Sequence, residues 1–514
     1  MSTRRGNAGT DASRSGGVSR SGSAGGHGST AAGKNTGAST SQNGSSSRSS
    51  GASANAGQRG GASANASAGS FRRAASTAAG ANASAGSSRR AASTAAGANA
   101  SRQHKDDGPC PIMRECGGCE TLNLPYRKQI ARKQQQMEEL FCPIIEKFGW
   151  DAQVGDIVPM GALPGEPPAA NGKLASPRAF RYKAATPFAP GSRGQVQSGL
   201  YAKGTHEIVH CSNCPVEAPG ARRILNETAR AATRLHIAAY NESRQSGILR
   251  HAVVRMGWKT RDAMLTVVTS QRNLPRADEL VQALQEISPR IVSIAQNINP
   301  RRTNAIYGGE TRILSGEPCM HDELLGCTFE ISPTSFYQTN PAQTEELYRL
   351  AIQDMALEDG DTLLDAYCGS GTIGICAAKD AVERDLVVQV LGVERNHDGV
   401  DDARRNARIN GLLDECHFAC NDATAYMERA ASQGKRVDVV SLDPPRAGAT
   451  PEFLAATCAL GPRRIVYISC NPATQARDIE LLGESGYRLV RITPVDMFPH
   501  TSHVETVALL AREA

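Results

Sequence analysis

The sequence predicts an α/β protein: a C-terminal half built on a parallel, doubly wound sheet, a mixed α+β region before it, and a disordered basic tail at the start. Three observations predict this. Residues 1–104 are almost entirely Ser, Ala, Gly, Asn and Arg, with Phe71 as the only Phe, Tyr or Trp. Residues 105–330 mix helical and strand-like patterns without a regular alternation. Within residues 331–514, strands and helices alternate after Gly360, which is the signature of a parallel sheet with crossover helices.

The tail holds twelve Lys/Arg against one acid, Asp11, and so carries +11 of a chain whose net charge is only +6. The remainder is therefore slightly acidic, and the basic balance belongs to the tail. So few apolar residues cannot offset the entropy of ordering the segment. FRRAASTAAGANASAGS at Phe71 returns as SRRAASTAAGANAS at Ser88, but neither copy has the apolar residues that stack a solenoid. Such an arm either adds non-specific attraction to RNA phosphates or is inert. No stretch approaches the ~20 apolar residues that span a bilayer. Arg4 and Arg5 have no apolar run behind them, unlike a secretory signal. Fourteen cysteines then point to reduced thiols, metal ligands or catalysis. A cytoplasmic, monomeric protein with no membrane partner is expected.

Helical periodicity marks Tyr126–Phe148 and Ala218–Tyr240, the latter polar enough to be a surface helix. Strands are predicted at Ala252–Met256, Ala263–Thr269 and Arg290–Gln296, and a Pro/Gly-rich surface loop at Gly161–Pro177. Asn340 suits a helix N-cap, Pro341 the first helical position and Gln343 a capping box; Leu347, Leu350, Ala351 and Met355 then share a face. Further strands are predicted at Thr362–Ala366, Val388–Glu394, Val437–Leu442, Arg464–Ser469, Tyr487–Pro494 and Glu505–Leu510.

The first strand of the alternating region runs into Asp365-Ala-Tyr-Cys-Gly-Ser-Gly-Thr-Ile-Gly374. Gly369 and Gly371 let backbone approach a ligand where a helix begins. The next strand ends in Glu394, whose carboxylate can accept from both ribose hydroxyls of a nucleoside. A Gly-rich turn alone is an ordinary strand–helix corner. The Asp, the glycine pair and the acid together favour a nucleoside-containing cofactor, and the absence of a Gly-Lys-Ser/Thr sequence disfavours a P-loop.

The fourth strand ends in Ser441-Leu-Asp-Pro-Pro-Arg446, where two prolines stiffen the backbone around Asp443. The bland reading is a rigid loop; the sharper one is a carboxylate fixed against a nucleobase edge. The residue that follows Asp-Pro-Pro is Arg446 and not an aromatic. Cys470 ends the fifth strand just before a helix, a position expected to favour its thiolate. A lone cysteine is more often an inert core residue, but Ser469, Asn471 and Pro472 are not core-like neighbours. His500, His503 and Glu505 should lie at the same sheet edge.

Cys110, Cys116 and Cys119 form a C-x5-C-x2-C cluster, and a fourth ligand is available from Cys211 or Cys214. Four thiolates suit either a [4Fe–4S] cluster or structural zinc, and spacing does not separate them.

LLDAYCGSGTIGI, SLDPPRAG, YISCNPATQARDI and DMFPHTSHVETVALL, in that order, resemble the motifs of the bacterial RNA uracil-5-methyltransferase family. FRYKAATPFA, GLYAKGTHEIV, LRHAVVR, SIAQNINPRRTN and FEISPTSFYQTNPAQTEELY extend the likeness over nearly all of residues 110–514. The resemblance implies a Rossmann-like class I methyltransferase domain that uses S-adenosylmethionine to methylate C5 of an RNA uridine. It implies Cys470 as the nucleophile on C6, Glu505 as acceptor of the C5 proton and Asp443 as the residue orienting uracil. It assigns cofactor contacts to Gln338, Tyr367, Thr372, Glu394 and Asp422, with Asp443 bordering both ligands. Tyr367 and Thr372 depart in type from the family pattern. For the cysteines, it favours a [4Fe–4S] cluster over zinc, held by Cys110, Cys116, Cys119 and Cys214.

Family members with that cluster mostly act on 23S ribosomal RNA, so 23S rRNA is the expected partner. The alternatives are C5 methylation of tRNA uridine 54 and a non-catalytic RNA-binding protein of the same fold. Many relatives begin with a small β-barrel RNA-binding domain, which residues 1–104 cannot form. Arg301, Arg302 and Arg312 are then candidate phosphate contacts or solvated surface charge.

Overall fold

A computed structural model of the chain describes residues 109–161 and 174–513. The predicted tail and most of the Gly161–Pro177 loop lie outside the described residues. The first elements are helix α1 (Tyr126–Phe148) and the short strand β1 (Gln153–Val154). A six-stranded sheet follows, made of β2 (Lys183–Pro190), β3 (Val196–Ser198), β6 (Leu249–Met256), β7 (Ala263–Thr269), β8 (Ile291–Ile298) and β9 (Glu310–Gly316). The pair β4 (Leu200–Tyr201) and β5 (Ile208–Val209) lies in the same stretch, and helices α2 (Ala221–Arg234) and α3 (Ala277–Gln285) share the apolar core of the six-stranded sheet.

The hairpin β10 (Met320–Leu324) and β11 (Cys327–Ile331) leads to α4 (Pro341–Met355) and then to the alternating region. That region comprises β12 (Thr362–Ala366), α5 (Thr372–Glu383), β13 (Gln389–Glu394), α6 (His397–Ile409), β14 (Cys416–Cys420), α7 (Ala423–Ser432) and β15 (Val439–Leu442). It closes with α8 (Pro451–Leu460), β16 (Arg464–Ser469), α9 (Pro472–Glu484), β17 (Tyr487–Val495) and β18 (Glu505–Arg512).

The large sheet has the order β1-β17-β18-β16-β15-β12-β13-β14. Strands β12 to β16 are mutually parallel, and β18 runs antiparallel to both neighbours. Successive strand residues bury on opposite faces, as a doubly covered sheet requires. Leu363, Val390, Val439 and Val466 pack with α4, α5 and α6; Leu364, Val440, Ile465 and Tyr467 pack with α1, α8 and α9. The predicted α/β class, with a doubly wound C-terminal sheet, is what forms. The chain leaves β12 toward β14, then returns to the other side of β12 as β15. That reversal opens a crevice at the carboxyl ends of the strands, where open α/β sheets bind ligands.

Four expectations need correction. Helix α1 and strand β1 join the large sheet, β1 pairing in parallel with β17, and only the head of α1, at Tyr126, packs with Phe180 and Val216 of the central region. The helix expected over Ala218–Tyr240 is shorter, and it is no surface helix: Arg222, Asn226 and Thr228 are buried. Their polarity is met internally, Arg222 by Glu217 and Asn226 by the carbonyl of Cys211 at 2.8 Å. Only half of the capping box forms. Asn340 Oδ1 accepts from the Gln343 amide, but the Gln343 side chain donates instead to the carbonyls of Val158 and Asp496. Finally, β1 to β5, β9 to β11 and β14 have no counterpart among the predicted strands. Among the described residues, no helix is long and apolar enough to cross a membrane.

Candidate active site

The turn after β12 is shaped by three residues with positive φ: Tyr367 (62°), Gly369 (54°) and Gly371 (78°). A Cβ on Gly371 would come within 2.9 Å of the Phe418 ring, whereas one on Gly369 would meet nothing within 4 Å. Gly371 is thus fixed by packing, and Gly369 faces open space. Asp365 anchors the turn from beneath, its Oδ2 accepting the Gly374 amide at 3.0 Å; burial pushes its carboxyl up to about 7. Glu394 accepts the Gly369 amide at 3.2 Å on one oxygen and the Asn396 amide at 2.7 Å on the other.

The remaining expected cofactor residues line the same end of the sheet. Asp422 caps α7 through the Ala425 amide (3.1 Å), and its charge reaches Tyr367, whose hydroxyl burial pushes up to about 12. The Tyr367 ring lies 5.1 Å from that of Phe453. Thr372 Oγ1 is 2.8 Å from the hydroxyl of buried Tyr348 and is engaged with the protein. Gln338 is buried in the loop between β11 and α4, which meets the glycine turn where Ser370 Oγ donates to the Phe336 carbonyl.

On the next three strands lie Asp443, after β15, Cys470, after β16, and Glu505, at the start of β18. Ser469 of β16 pairs with Thr506 of β18 in antiparallel register, which sets Cys470 opposite Glu505, a cross-strand neighbour. Leu442 of β15 pairs with Tyr467, which brings Asp443 to the same end of the adjacent strand. Burial, then Glu505 and Asp443, push the Cys470 thiol up to about 11. Burial and Asp443 also hold Glu505 well above the carboxylate range, and burial pushes Asp443 up to about 7. Glu505 is 3% exposed, and its Oε2 has no hydrogen-bond partner among the described residues.

The thiolate expected at the start of α9 is therefore not favoured. Two of the donors near the helix terminus are not available: Ser469 Oγ takes the Asn471 amide at 3.1 Å, and Pro472 has none. Burial and two carboxyl groups prevail. The cation facing the trio is Arg446, which lowers both Cys470 and Glu505 and lies 3.0 Å from His503 Nδ1.

Sequence reasoning missed how the segment before Glu505 is held. Lys133 of α1 donates to Asp496 Oδ1 (2.5 Å) and to the carbonyls of Phe498 (3.1 Å) and His503 (2.7 Å). Tyr126 donates to Asp496 Oδ2 at 2.6 Å, and Gln129 accepts the His500 amide at 3.0 Å. His500 itself is buried against the Pro177 carbonyl (2.8 Å) and is structural. The available signal was the α1 stripe Tyr126, Gln129, Lys133, Met137, Phe141, whose first half is polar yet buried.

Cys110, Cys116, Cys119, Cys211 and Cys214 line one enclosed cavity with Arg181. The charges of Cys110, Cys116 and Cys214 all reach Cys119, which burial pushes up to about 12. Cys211 hydrogen-bonds Cys214, lowering it to about 7. The Gly118 amide donates to Cys116 Sγ at 3.3 Å. The cysteine segment meets the catalytic one directly, since the Glu120 and Thr121 amides donate to the His500 carbonyl. Of the arginines considered for RNA, Arg301 and Arg302 are exposed, and Arg312 Nε is held by Gln296 Oε1 at 2.7 Å.

Comparison with known proteins fits this geometry. Residues 326–513 match the family described as tRNA (uracil-5-)-methyltransferase. An uncharacterized RNA methyltransferase of Bacillus cereus is 35% identical over 409 residues, covering 80% of this chain and 84% of that protein. One from Staphylococcus aureus is 37% identical over 402 residues, covering 78% and 83%. Among solved structures, the tRNA (uracil-54, C5)-methyltransferase of Pyrococcus abyssi, in complex with S-adenosyl-L-homocysteine, superposes with a TM-score of 0.59 at 28% identity, over 77% of this chain and 86% of that one. The chain is an RNA methyltransferase and belongs to the RNA uracil-5-methyltransferase family.

Proposed function

We propose that the enzyme methylates C5 of an RNA uridine from S-adenosylmethionine through a covalent bond between Cys470 and C6. The observation behind this is the facing pair Cys470 and Glu505, with Asp443 recessed beside them and the glycine turn one strand away. Bound between the Glu394 carboxylate and the turn at Gly369, the cofactor supplies an electrophilic methyl group. Cys470 gives up its thiol proton to solvent and adds to C6, and the displaced π electrons make C5 nucleophilic. Asp443, held near 7, can donate a hydrogen bond to the enolate oxygen while protonated. After C5 has taken the methyl group, Glu505 removes the C5 proton, the C5–C6 double bond re-forms and the Cys470 thiolate leaves. A carboxyl held well above its usual range is suited to that proton.

Cys110, Cys116, Cys119 and Cys214 would hold a [4Fe–4S] cluster that ties residues 110–119 to the segment before α2. Four thiols around one cavity with an amide donor to sulfur support this. A brown protein bleached by Cys116→Ser supports iron–sulfur; stoichiometric zinc without iron overturns it.

The cluster-bearing resemblance points to 23S rRNA as substrate. A second reading, uridine 54 of tRNA, is favoured by the likeness to the Pyrococcus abyssi enzyme. Labelled cofactor, with total RNA from a strain lacking this gene, tests both: label mapped to 23S rRNA or to tRNA decides between them. Cys470→Ala must abolish transfer with cofactor binding intact, and Glu505→Gln must accumulate an RNA–protein adduct on a denaturing gel. Turnover by Cys470→Ala would sink the mechanism.

A further inference from the structure

Away from the catalytic crevice, the β10–β11 hairpin gathers a second set of metal-ligating side chains. The ligand atoms of Cys319, His321 and Glu330 all lie within 4.8 Å of one another. His321 and Glu330 are direct cross-strand partners, with Nε2 and Oε1 3.8 Å apart. Cys319 stands two residues before His321 and so falls on the same face. The other oxygen of Glu330 is turned toward Arg405 Nε at 3.3 Å, which leaves Oε1 to the trio.

Cys319 is buried, while the His321 and Glu330 side chains are 43% and 21% exposed, which gives an ion a way in. Thiolate, imidazole and carboxylate together suit a borderline-soft divalent ion. Bonds of ~2.0–2.3 Å would draw the donors to within ~3.3–3.8 Å of one another, a small rotation from where they stand.

We propose that Cys319, His321 and Glu330 form a zinc site with three protein ligands and a fourth position for water. It is separate from the cysteines of the 110–214 region. Because β11 runs into the loop bearing Gln338, zinc there would brace the wall of the cofactor crevice without touching the reacting atoms.

The test is a cobalt(II) titration of the full-length protein as isolated, read by the thiolate-to-cobalt band and the visible bands of tetrahedral cobalt. One equivalent should bind, and zinc should bleach it. The signal should vanish in Cys319→Ser and His321→Ala but persist in Cys214→Ser. His321 is partly exposed, so its replacement tests the site even if Cys319→Ser fails to fold. No thiolate-to-cobalt band in the wild type, a band retained in His321→Ala, or one lost only in Cys214→Ser would overturn the proposal.

Discussion

The Cys470 thiol should be slow to react in the free enzyme, and the structure sets by how much. A thiol held up to about 11 is thiolate in about one molecule in a thousand at pH ~8, against about one in four for an ordinary cysteine near 8.5. That is a loss of about two hundredfold. A more basic thiolate is also a better nucleophile, with a Brønsted slope of ~0.4–0.5, which returns about tenfold. The net expectation is alkylation about twentyfold slower than at an exposed cysteine, with a rate that climbs about tenfold per pH unit from pH ~7 to ~10. Exposed Cys420 provides the reference within the same molecule. Pulses of iodoacetamide at a series of pH values, read peptide by peptide by mass spectrometry, give both rates. Glu505→Gln removes the second-largest cause of the shift, so Cys470 should then react faster at each pH. A Cys470 rate that levels off below pH ~9, or exceeds that of Cys420, would refute the electrostatic account.

Other consequences are open to measurement. Lys133→Met strips a buried ion-pair partner from Asp496 and leaves two carbonyls unserved, a loss of about 3–5 kcal/mol; an unchanged melting temperature would show that Lys133 is not a clamp. Asp365 is raised to about 7 in the fold, so its contribution is fully present below the unfolded value near 4 and is lost as pH rises through 7. Asp365→Asn keeps an acceptor for the Gly374 amide without the charge. It should narrow the difference in melting temperature between pH ~5 and ~8; a variant less stable than wild type at pH ~8 contradicts this. Cys211→Ser should leave iron content intact while Cys214→Ser removes it, as read by iron analysis of the purified variants, and the reverse pattern would exchange the assignment of the fourth ligand.

Elements whose pattern matches their burial were legible in the sequence. Helix α1 falls where its helical periodicity places it, and strands β12 and β16 do so because each is a short, largely apolar run bounded by turn formers. Strand β2 was hidden by Pro187 and Pro190, which nonetheless occupy ladder positions opposite His251 and Val196. Strand β14, Cys-His-Phe-Ala-Cys, is an edge strand whose His417 and Cys420 are exposed. Of the site, motif order located Asp443, Cys470 and Glu505, and register then brought them to one end of the sheet. The ionisation state of Cys470 was not legible. It depends on Glu505 across the ladder and on the Asn471 amide being taken by Ser469 Oγ, neither of which has a local signature.

The clamp on the segment before Glu505 also bears on how the protein comes to be active. Lys133 meets Asp496 across 363 residues of chain and the His503 carbonyl across 370, and β1 pairs with β17. Contacts of such separation form late, because the closure entropy of the intervening loop must be met first. During synthesis α1 emerges long before its partners exist, so the sheet can assemble from β12 onward while α1 waits undocked. Glu505, the proposed general base, is seated only when α1 reaches the segment before it. Competence for the reaction is then the last property the folding chain acquires, and the first to go when α1 lifts away.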